Sequence, residues 1–338
     1  MRWSRILQTV DVHCAGEIGR VITGGMPLIP GDTMAAKLAH INEVDDSLRR
    51  FLCSEPRAAA NHSFVLIPPA CHPEADFGLI VLQTDQAHAM SGSNSMCAVT
   101  AILETGMMEM KEPETIVVLD TAAGLVKATA TCQDGKVTGV SLDMPPSFVA
   151  EMDAEIDTKE WGRVTYDLCY GGVFYALVDV EQVDLAIVPE NARTLAEIGT
   201  ALRDQIAGQT TIVHPEIPEV HGLAYVMFRS READGAMRHC TTLTPARADR
   251  SPCGTGTNST VAVLHAKEEV KPGDQITTRS IIGGEFSAEL TGEAQIGPYA
   301  GSCVRVSGQC WIYGMSQIGL DPTDPFPHGF ILSDTWGG

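Results

Sequence analysis

The run Asp249-Arg250-Ser251-Pro252-Cys253-Gly254-Thr255-Gly256-Thr257 leads straight into a helix-like stretch from Asn258 to Val270. It sets a cysteine between a proline and a Gly/Thr-rich turn that opens a helix, with an aspartate shortly before it. The first N–H groups of a helix have no partner within it, and they form the positive end of the helix dipole. A free thiol titrates at about 8.5, and such a helix end draws it toward neutrality. Cys253 is therefore expected to serve as a base or a nucleophile. A second stretch, Met90-Ser91-Gly92-Ser93-Asn94, opens the run Ser95 to Glu104 in a similar way, with a hydroxyl in place of the thiol. Taken alone, Ser91 reads as an N-cap; its position, matching that of Cys253, makes it a second candidate. Gly92 and Gly254 permit close backbone approach. The N–H groups of Gly92, Ser93, Gly254 and Thr255 are expected to converge on one carboxylate, an anion site that needs no Arg or Lys.

Around these two starts the chain repeats an order of elements. Ile6 to His13 and Arg20 to Thr23 read as strands closed by Gly24-Gly25. Asp32 or Thr33 caps a helix expected to run to about Phe51, and strands follow at Ser63 to Pro68 and Phe77 to Gln83. After the Ser91 helix come strands at Thr115 to Leu119, Leu125 to Thr131 and Lys136 to Asp143, and Pro145-Pro146 marks the end of the first half. The second half replays the series: strands flanking Gly171-Gly172, a helix from Asn191 to Ile206, two strands, the Cys253 loop and helix, then more strands. The expected fold is α+β, two similar domains of mostly antiparallel strands wrapped round a central helix, with the site in a cleft between them. The expected domains are 1–155, carrying Ser91, and 156–301, carrying Cys253, with 302–338 packing back on the first.

Whole-chain numbers narrow the function classes. The 338 residues are 44% hydrophobic and 20% charged, the profile of an ordinary globular protein. The net charge of −20 argues against nucleic acid or an anionic membrane as partner. No apolar run is long enough for a membrane-spanning helix, and Met1 to Val10 lacks the apolar core of a secretory leader. The ten cysteines form no C-x-x-C pair, so reduced thiols in a cytoplasm are expected. The histidines show no H-E-x-x-H and no Cys/His set has zinc spacing, so no metal is expected. The Gly-Thr-Gly-Thr run lacks the ending of a phosphate-binding P-loop.

Asp249 to Gly256 matches at every position the D-R-S-P-C-G-T-G of the proline racemase family, which the chain resembles almost end to end. His13 to Gly25 resembles the family's H-x-x-G-E-x-x-R-V-x-x-G-G start, with Ile18 where Pro is usual. Gly171 to Ala176 resembles its G-G-x-F-Y-A segment, and Asp324 to Phe330 its D-P-F-P-x-G-F tail. The resemblance implies the two-domain fold of diaminopimelate epimerase, a homodimer, a small cyclic imino acid as substrate and no cofactor. It also implies that Asp249 holds the ring ammonium and the helix-start N–H groups hold the carboxylate.

At the first motif the chain departs from the Met-Cys-Gly-His common in racemases and 4-hydroxyproline 2-epimerases. Its Ser91, with Ser93-Asn94 after the glycine, resembles the trans-3-hydroxy-L-proline dehydratase branch, although Ser/Cys members that epimerise 4-hydroxyproline also occur. Inversion at Cα needs an acid or base on each face, and a serine hydroxyl is a far weaker acid than a thiol. Dehydration needs one strong base. The expectation is thus a trans-3-hydroxy-L-proline dehydratase, with Cys253 as base, Ser91 as hydrogen-bonding partner and the carboxylate cradle stabilising the carbanion. The alternatives are a 4-hydroxyproline 2-epimerase or proline racemase and, from another class, a catalytically dead imino-acid-binding protein.

Overall fold

The computed structural model describes residues 3–218 and 220–336. Its helices are α1 (Met34–Ala39), α2 (Ser47–Cys53), α3 (Gly92–Glu104), α4 (Ala192–Ala207) and α5 (Gly254–Ala266), with a four-residue turn of helix, Ser333–Trp336, near the end. The single helix expected from residue 32 or 33 to Phe51 is broken in two. Thr33 caps α1, its Oγ1 accepting the Ala36 N–H at 3.1 Å. A π-helical turn, His40–Val44, follows α1, and the chain leaves it at Asp45, whose carboxylate takes the Ser47 N–H at 3.0 Å. Such a local turn competes with helical hydrogen bonding. Both α3 and α5 start earlier than the sequence pattern suggests, at the glycine directly after Ser91 and Cys253. Their Gly/Ser/Thr first turns have low helix propensity, and complete burial overrides it.

The chain divides into two compact units. One comprises the residues up to Leu142 together with those from Gly308 onward, and the other Asp143–Ser307. The division thus falls earlier than residue 155, because Ser147–Thr158, after Pro145-Pro146, is a further strand that pairs with Gly162–Tyr170 of the second unit.

In the first unit a six-stranded sheet runs in the order 310–320, 5–14, 17–24, 62–66, 80–82, 87–88. Arg5–Cys14 lies antiparallel to both its neighbours, from Arg5 opposite Leu320 to Cys14 opposite Cys310 on one side. Strands 17–24 and 62–66 are parallel, and α1 and α2 lie between them in sequence. Outside this six-stranded sheet, 114–121, 124–133 and 136–143 form an antiparallel meander. Helix α3, buried from Gly92 to Leu103, is the centre of this unit and packs on strands of both sheets.

In the second unit the strand order is 147–158, 162–170, 174–179, 223–231, 237–243, 275–280, 285–296, 299–308. The sheet returns on itself where Ser147 and Phe148 pair with Ser302 and Gly301. Strands 174–179 and 223–231 are parallel, with α4 as the crossover between them. Leu195, Leu202 and Ile206 of α4 are buried against that sheet. Helix α5 is buried from Gly254 to Leu264. Both units therefore run antiparallel strand pair, helical crossover, parallel strand, central helix. The fold is α+β, mostly strands, with one buried helix at the heart of each unit.

Gly171 shows how tightly α5 is wrapped. A Cβ there would lie 2.3 Å from the Thr255 carbonyl oxygen and 2.4 Å from Ser259 Oγ. Asn258 Nδ2 ties the helix to this turn, donating to the carbonyls of Gly171 at 3.1 Å and Pro145 at 2.9 Å. Among the described residues no helix is long and apolar enough to cross a membrane.

Candidate active site

Cys253 is the N-cap of α5 and has φ +69° and ψ 109°. A non-glycine residue held there costs on the order of 1–3 kcal/mol and persists only when its surroundings dictate it. They do. Asp249 Oδ1 accepts from the Ser251 N–H at 2.8 Å and from Ser251 Oγ at 3.0 Å. Ser251 Oγ in turn accepts the Cys253 N–H at 3.1 Å. Beneath the loop, His239 Nδ1 lies 3.2 Å from the Pro252 carbonyl, a contact in which the nitrogen must donate. Burial pushes the His239 imidazole down to about 4, so it is neutral at pH 7.

The Cys253 thiol is almost wholly buried. Its Sγ accepts the Gly256 N–H at 3.4 Å and lies 3.2 Å from Tyr175 Oη. Tyr175 Oη is also 2.7 Å from Thr255 Oγ1, so three side chains share two hydroxyl protons and a thiol proton. Gly256 leaves room here: a Cβ would come within 2.6 Å of Met227 Sδ and 3.2 Å of Cys253 Sγ. Burial, with the Asp249 carboxylate nearby, pushes the thiol up to about 11, against the hydrogen bonds from Tyr175 and Gly256 that lower it. The expected drift toward neutrality is thus reversed, because desolvation outweighs the helix end.

Ser91 is the N-cap of α3, with extended backbone at φ −150° and ψ 125°. Its carbonyl accepts the Ser95 N–H at 2.9 Å and Ser95 Oγ at 2.8 Å. Its hydroxyl makes no cap bond to the helix backbone. Instead Ser91 Oγ accepts from Asn94 Nδ2 at 3.0 Å. The bland N-cap reading therefore does not describe the side chain, which is held by an amide and not spent on the helix. Gly92 and Ser93 are buried in the first turn of α3, as Gly254 and Thr255 are in that of α5. At these positions the N–H groups have no acceptor in their own helix.

The second unit thus gathers Cys253, Asp249, Gly254 and Thr255 in one loop and helix start, and the first unit gathers Ser91, Gly92 and Ser93. Sequence reasoning passed over Tyr175, Asn94 and His239. Tyr175 lies in the quoted Gly-Gly-Val-Phe-Tyr-Ala segment and Asn94 in the quoted Met90 to Asn94 stretch, and both were signals; His239 left none, since its partners are visible only after folding. His13 is occupied otherwise, its Nδ1 accepting the Gly16 N–H at 3.2 Å and its ring stacked on Trp311. Among the described residues no group of three or more His, Cys, Asp and Glu side chains is placed to hold a metal ion.

The family model for proline racemase matches residues 9–331. The chain belongs to the proline racemase family. As a member of that family it is 55% identical to a 4-hydroxyproline 2-epimerase of Rhizobium etli, over 100% of this chain and 98% of that one. A crystal structure of a hydroxyproline epimerase from Agrobacterium vitis, with trans-4-hydroxy-L-proline bound, is 52% identical and superposes with a TM-score of 0.96, covering 100% of this chain and 98% of that one. A phenazine biosynthesis protein of the PhzF family from Bacillus anthracis shares the fold alone, at 11% identity and a TM-score of 0.57, over 93% of this chain and 99% of that one.

These relatives overturn the dehydratase expectation and, with it, the placement in the dehydratase branch: end-to-end likeness at this level runs to hydroxyproline epimerases. A bare serine hydroxyl is indeed a poor acid, but Ser91 is not bare. It sits at a helix start and accepts a hydrogen bond from a buried amide, both of which favour its deprotonated form.

Proposed function

We propose that this chain is a 4-hydroxyproline 2-epimerase, which interconverts trans-4-hydroxy-L-proline and cis-4-hydroxy-D-proline by moving a proton on and off Cα. The observation that carries the reading is its end-to-end likeness, at 52% identity, to an epimerase that binds trans-4-hydroxy-L-proline. Inversion requires one proton carrier on each face of Cα, and Cys253 and Ser91 are assigned those roles. In one direction the Cys253 thiolate takes the Cα proton and Ser91 Oγ delivers its own to the other face. In the reverse direction the roles exchange. The N–H groups of Gly92, Ser93, Gly254 and Thr255 hold the carboxylate, where negative charge grows as Cα loses its proton. Asp249 receives the ring ammonium. That pairing also removes part of the pressure that keeps the thiol protonated, since the Asp249 carboxylate is one cause of its raised pKa. No step in this scheme calls for a cofactor.

Incubation with trans-4-hydroxy-L-proline in D2O, followed by NMR, tests the reading. The expected product is the cis-D epimer carrying deuterium at Cα. Absence of inversion would overturn the proposal, and faster inversion of L-proline than of the hydroxylated substrate would make the chain a proline racemase.

A further inference from the structure

We propose that Asn94 is the positioning residue that makes Ser91 a working proton carrier. The inference rests on the epimerase reading above and deepens it. Asn94 is 1% exposed, and its Nδ2 donates to Ser91 Oγ at 3.0 Å. Its Oδ1 is buried without a hydrogen-bond partner among the described residues. An unpaired buried carbonyl oxygen is costly. The fold tolerates that cost while the amide's donor end faces the one hydroxyl that has to lose a proton. Gly19 leaves room for the arrangement: a Cβ there would lie 2.8 Å from Asn94 Oδ1 and 3.0 Å from Cys97 Cβ.

The chemistry asks for such a donor. When Ser91 delivers its proton, the O–H bond breaks, a Cα–H bond forms and the electron pair stays on Oγ as an alkoxide. A hydrogen bond to the charged form favours that form. A hydrogen bond between an uncharged donor and an ionised acceptor is stronger than one between neutral groups. The amide therefore stabilises the alkoxide more than the hydroxyl, which lowers the barrier to delivery and raises the share of Ser91 present as the alkoxide that the reverse direction needs. Substrate Cα also needs the hydroxyl hydrogen itself, and that hydrogen is left available because Asn94 donates to Ser91 and takes nothing from it.

The test uses Asn94→Ala and Asn94→Ser in the full chain, with each epimer supplied separately in D2O and Cα followed by NMR. Ser91→Ala serves as the benchmark. Inversion is expected to fall on the order of 10- to 100-fold in both Asn94 variants, the range for losing a charge-assisted hydrogen bond. For one epimer only, the one whose Cα hydrogen faces Cys253, deuterium is expected to enter without inversion, as in Ser91→Ala. A purely structural role would not leave that one-sided exchange intact. Inversion within twofold of the unaltered chain overturns the proposal. So does loss of inversion and of exchange for both epimers in both variants, or failure of both to fold. If the unaltered chain itself does not invert hydroxyproline, the epimerase reading fails and not only the role of Asn94.

Discussion

The two helix starts solve one problem with different parts. At α5 the proposed proton carrier is a thiol, held at φ +69° and given its hydrogen bonds by a backbone N–H and a tyrosine. At α3 it is a hydroxyl on relaxed, extended backbone, held by the side-chain amide of Asn94. The residue three places after the carrier is Gly256 in one and Asn94 in the other. The thiol is large, so the glycine gives it room and the peptide N–H behind it. The hydroxyl is small and far less acidic, so the same position carries a donor of its own. In this chain the two carriers thus differ together with the residue three places after them.

Removing a proposed carrier is expected to have the largest effect. Cys253→Ala and Ser91→Ala are each expected to lower inversion by about 10²–10⁴-fold, the usual worth of a positioned acid or base. If either retains inversion within tenfold, that residue is not a carrier. Next, Ser91→Cys supplies a carrier that does not need the amide. In that background Asn94→Ala is expected to cost less than about threefold in inversion, against the 10- to 100-fold expected beside serine; equal losses in both backgrounds would show that the two positions are not matched.

Smaller effects sharpen the thiol side. Tyr175→Phe removes a hydrogen bond that lowers the Cys253 pKa. At pH 9 its alkylation by iodoacetamide, read by peptide mass, is expected to slow about three- to tenfold. An unchanged rate would mean that the tyrosine proton belongs to Thr255 alone. His239 gives a pH dependence. Its folded pKa is depressed from 6.5 to about 4, so the folded state binds fewer protons than the unfolded one. Stability is therefore full above about 6.5 and is lost as pH falls toward 4. His239→Gln is expected to flatten that slope in urea midpoints measured across the range, and an unaltered slope would assign the acid sensitivity elsewhere.

The loop Asp249 to Thr257 and the stretch Met90 to Asn94 were legible in sequence because glycine, serine and proline at a helix start are local signals. The repeated order of strands and helices was legible for the same reason. Three things were not. The strand Ser147–Thr158 follows two prolines, and only its partners at 162–170 and 299–308 make it a strand. The Cys253 pKa depends on burial, which no local pattern reveals, and so the helix end alone pointed the wrong way. The weakness of Ser91 was judged from the free hydroxyl, whereas in the fold that hydroxyl accepts a hydrogen bond from the buried Asn94 amide, a contact no local pattern reveals.

The Tyr175–Cys253–Thr255 cluster has a consequence for the life of the protein between turnovers. Oxidants and electrophiles attack the thiolate, and a sulfur that holds its proton to about pH 11 and is almost closed to solvent offers them little to attack. The same closure that raises the Cys253 pKa is thus its chemical armour, and in the proposed mechanism the substrate ammonium paired with Asp249 is what relieves it.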